Sequence, residues 1–384
     1  MPRRLADELL EEILTRLPPD DPVSLVRAAA VCPRWRRVVS TRSFRHRFAQ
    51  RHRTAPMLGL FANLKHWSED KDEDGDYYKI SSVRFVRATR FRPEDEDRRD
   101  LCAFDARHGR VLLVSTLQDA AVMGFEVWDP VMNELWELPN LARSSTSTWN
   151  AGVVCADDAC DHLDCRRKPF RVVFLDSGRE KMRAFVYSSE SGAWSGPTYG
   201  PPAHDGVGFA CPALVGNTLH FLMKWTNNIL KYDVLTGRMA MIVMPHDVTG
   251  DFPVLTTAED GGLGLARVET RDEGGVTVEC ALSLWSMETG PEGQVLWQQK
   301  GMIALDTLLN VNTNRIRLHN IAFAHGIGAF FVATGVAGTD DEWFSIDKSE
   351  EVRKENFGDG SANGVVPYTS FYTPEFRQYG VPPA

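Results

Sequence analysis

Hydrophobic residues along the chain follow two different periods, and the period changes near residue 55. In LADELLEEILTRL, residues 5–17, the apolar side chains recur at helical spacing and share one arc of about 140°. Pro18 and Pro19 end this predicted helix, because proline lacks the amide donor and restricts the residue before it. Residues 23–32 predict a second short helix and residues 33–40 a third, with two phenylalanines following at helical spacing. Three such helices bury little apolar surface, so we expect this unit to dock on its own chain or on a partner.

After residue 55 the pattern is that of short strands separated by turns. A strand–turn–strand unit recurs in residues 125–139, 184–197, 229–245, 282–290 and 342–354. Each copy has an apolar or aromatic anchor that is followed directly by Asp or Ser. The anchors are Trp128, Tyr187, Tyr232, Trp285 and Ile346, and the residues five positions later are Asn133, Gly192, Gly237, Gly290 and Glu351. Asp or Ser caps such a turn, and Gly or Asn adopts its left-handed backbone, so each copy predicts a β-hairpin.

A glycine turn that leads into an apolar strand precedes four of these hairpins, at residues 108–115, 215–223, 260–268 and 325–334. Each unit therefore contains about four strands, and the anchors lie 45–61 residues apart. A propeller blade takes roughly 40–50 residues. The pattern predicts an α+β protein with two domains: a three-helix domain at residues 1–50, and an all-β propeller of six to seven blades at residues 51–384. We expect residues 365–374 to pair with residues 56–64 and close the ring; an irregular β-sandwich array is the alternative.

The distribution of charge separates the two predicted domains. The chain has a net charge of −9, yet residues 1–53 contain twelve arginines and six acidic residues, which gives them a charge of +6. A basic head on an acidic body favours an acidic partner for the head. Eight of these arginines lie within residues 34–53, but no aromatic platform or DNA-reading motif accompanies them, so we expect no nucleic-acid partner.

The remaining bulk features concern the compartment. Seven cysteines are scattered along the chain, an odd number that suits a reducing compartment better than a disulfide framework. No apolar run is long enough for a membrane span, and acidic residues follow the first arginines too closely for a signal peptide. We therefore expect an intracellular protein that has no membrane partner.

The first helices resemble the F-box. That family's motif runs Leu-Pro-x-x-Leu, then Ile-Leu, Leu-Pro, a Leu-rich second helix and Val-Cys-[Lys/Arg]-x-Trp. In register with it, this chain has Leu5, Leu9, Ile13-Leu14, Leu17-Pro18, Leu25, Val31-Cys32, Arg34-Trp35 and Phe44. Two positions depart from the motif: Ala6 stands where the family usually has proline, and Pro33-Arg34 replaces the common Lys-Arg pair.

The resemblance implies that these helices bind the Skp-type adaptor of SCF ubiquitin ligases and, through it, the cullin scaffold. Carried over to this chain, the adaptor-binding residues are Leu5, Leu9, Ile13, Leu14, Leu17, Pro18, Leu25, Val31 and Trp35. The segments LKYDVLTG (230–237) and VVPYTSFYTP (365–374) resemble the propeller-like associated domain of plant F-box proteins, especially the large grass families. That resemblance implies a propeller that binds a target protein for ubiquitination, in the cytoplasm, the nucleus or both. The alternative for the helices is that they pack only on the rest of this chain.

The segment CADDACDHLDC, residues 155–165, offers four nitrogen and sulfur donors, which is the number that a structural zinc ion takes. The donors are Cys155, Cys160, His162 and Cys165. Their spacing differs from paired Cys-x-x-Cys knuckles, and the single residue between Cys160 and His162 suits tetrahedral chelation poorly in an unconstrained loop. We therefore favour an inter-strand loop that holds thiols and no metal, with zinc as the alternative. Residues 70–76, DKDEDGD, imitate the start of an EF-hand loop, but Ser81 stands in place of the bidentate Glu, which favours a solvated acidic loop.

Enzyme signatures are missing from the sequence. It contains no Walker A motif, no G-x-S-x-G elbow and no H-E-x-x-H pair, and nothing fixes a nucleophile beside a base. We expect a non-catalytic subunit that needs no cofactor. Two alternatives remain: a propeller that binds a small molecule or glycan in its central funnel, and an enzyme built on a propeller scaffold.

Overall fold

A computed structural model describes most of the chain. The described residues are 6–67, 78–117, 121–143, 147–157, 160–177, 180–202, 206–245, 253–258, 260–273, 276–291, 294–335, 341–357 and 361–373. The acidic segment 70–76 therefore lies outside them, as does Leu5 of the predicted adaptor-binding set.

The N-terminal helical domain contains four helices rather than the three that were predicted. They are α1 (Asp7–Leu14), α2 (Pro22–Val31), α3 (Pro33–Val39) and α4 (Arg42–His52). The additional break falls at Thr41, whose extended backbone interrupts the helix and whose hydroxyl oxygen accepts a hydrogen bond from the Phe44 amide at 3.1 Å. A threonine at this position caps a new helix start. The last of these helices, α4, ends at His52.

A small apolar core holds these helices together. It combines Leu10 and Leu14 of α1 with Leu25 of α2 and the phenylalanines Phe44 and Phe48 of α4, all of which are buried. Phe44 and Phe48 stack with their ring centroids 5.8 Å apart. The core is therefore formed by one side of each helix, and the opposite sides do not contribute to it.

The rest of the chain is a six-bladed β-propeller, which confirms the predicted fold. Blade 1 begins with β1 (Met57–Trp67), β2 (Tyr78–Arg87) and β3 (Asp97–Arg99). Blade 2 contains β4 (Leu101–Arg107), β5 (Arg110–Ser115), β7 (Phe125–Asp129) and β8 (Glu134–Glu137), with β6 (Val122–Met123) and β9 (Leu141–Ala142) as a separate two-stranded ribbon. Blade 3 contains β10 (Trp149–Cys155), β11 (Phe170–Ser177), β12 (Lys181–Ser188), β13 (Ala193–Trp194) and β14 (Thr198–Pro202).

The last three blades follow the same order from the centre outwards. Blade 4 contains β15 (Ala213–Val215), β16 (Thr218–Leu222), β17 (Asn228–Asp233) and β18 (Met239–Val243). Blade 5 contains β19 (Val254–Thr257), β20 (Leu263–Glu273), β21 (Val276–Thr289) and β22 (Val295–Ala304), followed by α5 (Leu305–Leu309) and a 3-10 helix (Thr313–Arg315). Blade 6 contains β23 (Ile316–Ala324), β24 (Ala329–Thr334), β25 (Glu342–Ile346) and β26 (Val352–Glu355).

The ring closes through the last strand, β27 (Ser361–Thr369), which pairs antiparallel with β1 and completes blade 1. The register places Val366 opposite Phe61 and Tyr368 opposite Gly59. This pairing confirms the closure predicted from residues 365–374 and 56–64. Buried apolar clusters fill the interfaces between neighbouring blades, including the interface between blades 6 and 1. Every blade is therefore packed against the blade on each side of it.

The predicted hairpins form the outer strands of blades 2 to 6. Three turn residues adopt the expected left-handed backbone, namely Asn133, Gly192 and Gly237. In blade 6 that conformation falls on Glu350 rather than on Glu351, and in blade 5 Gly290 does not adopt it. The Asp caps also form: Asp129 Oδ1 accepts hydrogen bonds from the Val131 and Met132 amides.

Strand directions define two faces of the propeller. Each innermost strand runs from an upper face to a lower face, and in blades 2 to 6 the chain turns there into the second strand. In blade 2 that lower turn is His108-Gly109, and in blade 4 it is Gly216-Asn217. The helical domain enters β1 at the same lower face. In blade 3 the corresponding connection is not a short turn but residues 156–169, which include most of the cysteine-rich segment.

Candidate adaptor-binding surface and cysteine loop

Three apolar side chains of the helical domain stand out because solvent reaches about half of each or more. Leu9 is 53% exposed, Ile13 49% and Val31 61%. Leu9 and Ile13 lie one turn apart on the same side of α1, while Leu10 and Leu14 of the same helix are buried in the core. The single apolar arc read from the sequence is therefore divided: one half packs in the core that α1 shares with α2, α3 and α4, and the other half faces outward.

Ion pairs fix the position of α1 against the other helices. Arg34, at the start of α3, donates from Nε to Asp7 Oδ1 at 2.6 Å. Val31 ends α2 only three positions earlier, so this contact brings the exposed end of α2 towards the start of α1. One turn further along the same side of α1, Ser43 of α4 donates to Glu11 Oε1 at 3.1 Å. These polar contacts hold the side of α1 that faces α3 and α4, while Leu9 and Ile13 lie on a different side of the helix. The three exposed apolar residues Leu9, Ile13 and Val31 are called here the exposed F-box face.

The structure divides the nine residues that the resemblance selected for adaptor binding. Leu9, Ile13, Pro18 and Val31 are exposed. Leu17 and Trp35 are half-buried against the core, and Leu14 and Leu25 belong to the core itself, at 2% and 1% exposure. A helical wheel cannot separate these classes, because it records the side of one helix and not the position of its neighbours.

The lower face of the propeller carries the helical domain through α4. Arg45 of α4 is buried, and its Nε donates to Asp164 Oδ2 at 3.2 Å. Beside it, His46 Nδ1 lies 3.6 Å from Asp161 Oδ2. Both acidic residues belong to the connection 156–169 of blade 3, called here the cysteine loop. The basic head therefore has an acidic partner within its own chain.

An aromatic contact from the closing strand completes this interface. Phe371, just after β27, packs against the helical core, and its ring meets that of Phe48 edge to face at a centroid distance of 6.0 Å. Arg166 of the cysteine loop donates to Ser370 Oγ at 2.9 Å and also to the Phe371 carbonyl oxygen. The helical domain, the cysteine loop and the closing strand thus meet at one place.

The four candidate metal ligands converge where β10 ends at Cys155 and the cysteine loop begins. The ligand atoms of Cys155, Cys160, His162 and Cys165 all lie within 4.8 Å of one another. Cys160 Sγ is 3.4 Å from Cys165 Sγ, and Cys165 Sγ is 3.5 Å from His162 Nδ1. The cysteines are free thiols. Hydrogen bonds within the cluster, foremost from Cys165, lower the pKa of the Cys155 thiol. This convergence was not predictable from the spacing of the four residues, because the spacing does not show that Arg110 and Asp157 constrain the loop.

Two basic side chains hold the loop from outside the cluster. Arg110, fully buried at the start of β5, donates from one terminal nitrogen to the carbonyl oxygens of Cys165, Arg166 and Lys168 at 2.6–2.9 Å. Lys168 forms an ion pair with Asp157 at 2.9 Å and also reaches the Cys160 sulfur. The backbone that carries the four candidate ligands is therefore held in place by Arg110 and Lys168.

A cavity of about 400 Å³ opens beside this interface, at the lower mouth of the propeller channel. Its wall includes Arg107, His108, His325 and Phe371. Asp105 also lines it, but its carboxylate is occupied: it accepts from Arg107 Nε at 2.9 and 3.0 Å and from the Val153 amide at 2.9 Å. Burial lowers the pKa of His108 to about 3, so this imidazole is neutral at physiological pH. These contacts join Asp105 to its own strand and to β10 of the neighbouring blade, so its carboxylate supports the fold.

The upper face presents a different group. Trp225, in the turn between β16 and β17, is 64% exposed, and Phe209, before β15, is 49% exposed. Lys224 Nζ lies 5.6 Å from the Phe209 ring centroid and 5.3 Å from that of Trp225. Trp149 meets Phe209 edge to face at 6.0 Å. These residues were not predicted from the sequence, because turns between the second and third strands lack the hairpin signature. The available signal was a tryptophan in the polar turn Lys224-Trp225-Thr226-Asn227.

A known domain matches the N-terminal helices. Residues 3–47 match the F-box domain. No curated protein matches the chain. Among solved structures, the Aleuria aurantia lectin, a six-bladed β-propeller with a fucose recognition mode, is 10% identical over 80% of this chain and 98% of its own, with a TM-score of 0.40. The periplasmic gluconolactonase PpgL of Pseudomonas aeruginosa is 11% identical over 82% and 100%, with a TM-score of 0.39. A DUF4784 family protein from Bacteroides caccae is 11% identical over 81% and 73%, with a TM-score of 0.43.

With identities of 10–11% and TM-scores of 0.39–0.43, these structures do not indicate a ligand or an activity for this chain. A separate observation concerns membranes: no helix in the described part of the chain has both the length and the apolar character needed to cross a bilayer.

Proposed function

From an F-box domain at residues 3–47 that is joined to a six-bladed propeller, we propose that this protein is the substrate-receptor subunit of an SCF-type ubiquitin ligase. The F-box binds a Skp-type adaptor, which connects the chain to a cullin scaffold, and the propeller binds a target protein. F-box proteins are in general non-catalytic subunits, and this chain is proposed to act in the same way. The plant-type affinity of the propeller, noted in its sequence motifs, is part of the same proposal.

The exposed F-box face is the observation that carries this proposal. Leu9, Ile13 and Val31 are apolar, yet the intramolecular packing that buries Leu14 and Leu25 does not cover them. Full burial of a Leu, Ile or Val side chain contributes about 1.5–3 kcal/mol. Residues that are already half-buried gain roughly half of that, so three of them supply a useful share of the free energy of a protein–protein contact.

The geometry also supports a mechanism based on proximity. The F-box is attached to the lower face of the propeller by buried contacts at Arg45 and Phe371, which leaves the upper face at the opposite end for a target. A target held there would keep its lysines near a ubiquitin-charged enzyme on the same scaffold. Such tethering raises the effective concentration of the reacting groups without any bond chemistry in the receptor.

The double substitution Leu9→Ala/Ile13→Ala tests the adaptor contact. We expect the Kd for a purified Skp-type adaptor to rise at least tenfold in calorimetric titration, since 1.4 kcal/mol corresponds to a factor of ten. Glu8→Ala/Glu12→Ala, at exposed positions of the same helix, is the matched control and should change the Kd little, because exposed ion pairs contribute little. An unchanged Kd in the Leu9/Ile13 variant, with unchanged circular dichroism, would contradict the proposal.

Point substitutions are preferable to deletion of residues 1–45. The deletion removes Arg45, which pairs with the cysteine loop, and it strips the helical core from around Phe48 and Phe371. A loss of adaptor binding would then be mixed with damage to the lower face of the propeller.

A second candidate function is a propeller that binds a small molecule or glycan. The exposed aromatic group on the upper face favours it, because Trp225 and Phe209 offer flat apolar surfaces beside a cation, the kind of surface on which a sugar ring stacks. The same surface suits a target protein, since aromatic side chains also dominate protein interfaces. The two functions therefore share a site and differ in the class of ligand.

A further inference from the structure

The cysteine loop occupies a place where the other described blades have short connections. In blade 2 two residues, His108 and Gly109, join the first strand to the second, and in blade 4 the residues are Gly216 and Asn217. In blade 3 the same connection runs from residue 156 to residue 169. Its described apolar residues are Ala156, Leu163 and Pro169, which is too few for a core of its own. A polar loop of this length needs another source of order.

The donor atoms in the loop have the arrangement that a tetrahedral ion requires. Zn–S bonds of about 2.3 Å and Zn–N bonds of about 2.0–2.1 Å place neighbouring donors about 3.5–3.8 Å apart. The measured separations are 3.4 Å between the sulfurs of Cys160 and Cys165 and 3.5 Å from Cys165 Sγ to His162 Nδ1, and the whole set fits within 4.8 Å. Hydrogen bonding among thiols does not require four donors to converge on one point, whereas a metal ion does.

The identity of the donors selects the metal. Three thiolates and one imidazole form a soft set that favours zinc over magnesium or calcium, and Cys₃His is a common structural zinc set. All four positions are protein ligands, so no position is left for a reacting water. A divalent ion with three thiolates leaves one negative charge in excess, and the ammonium group of Lys168, which pairs with Asp157 at 2.9 Å, also lies beside the Cys160 sulfur. The His162 amide also donates to Cys160 Sγ at 3.3 Å, an outer contact typical of metal-bound thiolates.

We propose that Cys155 Sγ, Cys160 Sγ, His162 Nδ1 and Cys165 Sγ bind one structural zinc ion, and that this ion orders the segment that attaches the F-box to the propeller. Asp161 and Asp164 lie between the ligands and face His46 and Arg45 of α4. Fixing the ligands fixes these two carboxylates as well. The zinc ion thus sets the angle at which the F-box leaves the lower face.

The metal content of untagged, full-length protein tests the first half of the proposal. Mass-spectrometric metal analysis is expected to find one zinc per chain, with at least a tenfold reduction in Cys160→Ser and in Cys165→Ser. The matched control is Cys211→Ser, which removes a thiol outside the cluster and keeps a donor for the Phe104 carbonyl that Cys211 Sγ contacts at 3.0 Å. Replacement by Co²⁺ should give the strong visible absorption of a tetrahedral thiolate complex. Protein that stays free of zinc after titration with Zn²⁺, or that carries iron or copper instead, overturns the assignment.

Hydrogen exchange tests the second half. In Cys160→Ser, or after chelation of the wild-type protein, amide protection is expected to fall at least tenfold in residues 160–168 and in α4, while the strands of blade 5 keep theirs. Cys211→Ser should match the wild type. Zinc that binds without changing the protection of α4 overturns the link between the ion and the F-box. Adaptor binding through Leu9 and Ile13 is measured separately, so the two proposals fail independently.

Discussion

Arg45 places a guanidinium group in a buried position between the F-box and the propeller. Its Nε donates to Asp164 at 3.2 Å, and a terminal nitrogen donates to the Ser40 carbonyl oxygen at 3.1 Å. Removing two charges from water costs free energy that such a pair offsets only with good geometry, so the net gain in stability is small. Loss of Asp164, in contrast, leaves the buried guanidinium group without this carboxylate. Arg45 and Asp164 therefore define orientation more than they add stability.

His220 makes stability depend on pH. The side chain is 5% exposed in β16, and burial lowers its pKa from the ordinary 6.5 to about 4. Because the unfolded chain takes up this proton at a higher pH than the folded chain, His220 reduces stability as the pH falls from about 6.5 towards 4. The expected loss is about 2 kcal/mol at pH 5. His220→Gln should flatten this part of a urea-unfolding profile between pH 7 and pH 5; an equal slope in both proteins would contradict the assignment.

Among the secondary-structure elements, β1 depends most closely on a glycine. A Cβ atom at Gly59 would lie closer than 3.0 Å to the Phe85 ring and to the Val86 carbonyl oxygen of the neighbouring strand. The backbones of β1 and β2 are therefore close at the point where β1 also pairs with Tyr368 of β27. The closure of the ring thus includes a position where no larger side chain fits.

Gly59→Ala tests this close approach. We expect it to destabilise the protein by about 1–3 kcal/mol, the usual cost of overpacking, and to lower the melting temperature. Gly364→Ala is the matched control in the partner strand β27, since a Cβ atom there meets nothing within 4 Å. Equal melting temperatures for the two variants would show that the strands can separate without cost.

Elements with a turn signature were predictable from the sequence, and the others were not. The five hairpins of blades 2 to 6 were found because a capping Asp or Ser and a Gly or Asn recur at fixed spacing. The hairpin of β2 and β3 in blade 1 lacks that signature, since residues 88–96 connect its strands without the anchor pattern. The break between α3 and α4 at Thr41 was also missed. Phe44 and Phe48 have helical spacing with each other whether or not the helix before them is interrupted.

At the scale of the whole molecule, the two faces of the propeller have separate tasks. The lower face holds the F-box through the cysteine loop and Phe371, and the upper face exposes Trp225 and Phe209. The lower-face interface could not be predicted from the sequence. Arg45 and Asp164 are 119 positions apart, and the sequence does not show which of the many arginines pairs with Asp164. The four candidate metal ligands could be recognised in the sequence. Their convergence could not, because it requires that β10 end at Cys155 and that the loop then fold back on it.

Trp225→Ala separates these tasks. We expect it to reduce capture of the target or ligand at least tenfold and to leave the Kd for the adaptor unchanged, because the residue lies on the face opposite the F-box. Capture is measured by proximity labelling with proteasome inhibition, and sugar binding by a glycan array. Leu235→Ala, at an exposed apolar residue in a lower-face hairpin turn, is the control. A loss that appears equally in both variants would exclude the upper face as the binding surface.

The closure of blade 1 also determines when this protein becomes complete during its synthesis. Met57 pairs with Thr369, 312 positions later in the chain. At about 5–20 residues per second, a ribosome makes these partners about 15–60 s apart. During that interval the edge of β1 that pairs with β27 has no partner strand, and Phe48 of the F-box lacks its contact with Phe371. Leu9 and Ile13, the proposed adaptor contacts, are made first, so under the proposed function a nascent chain could bind an adaptor before its propeller closes.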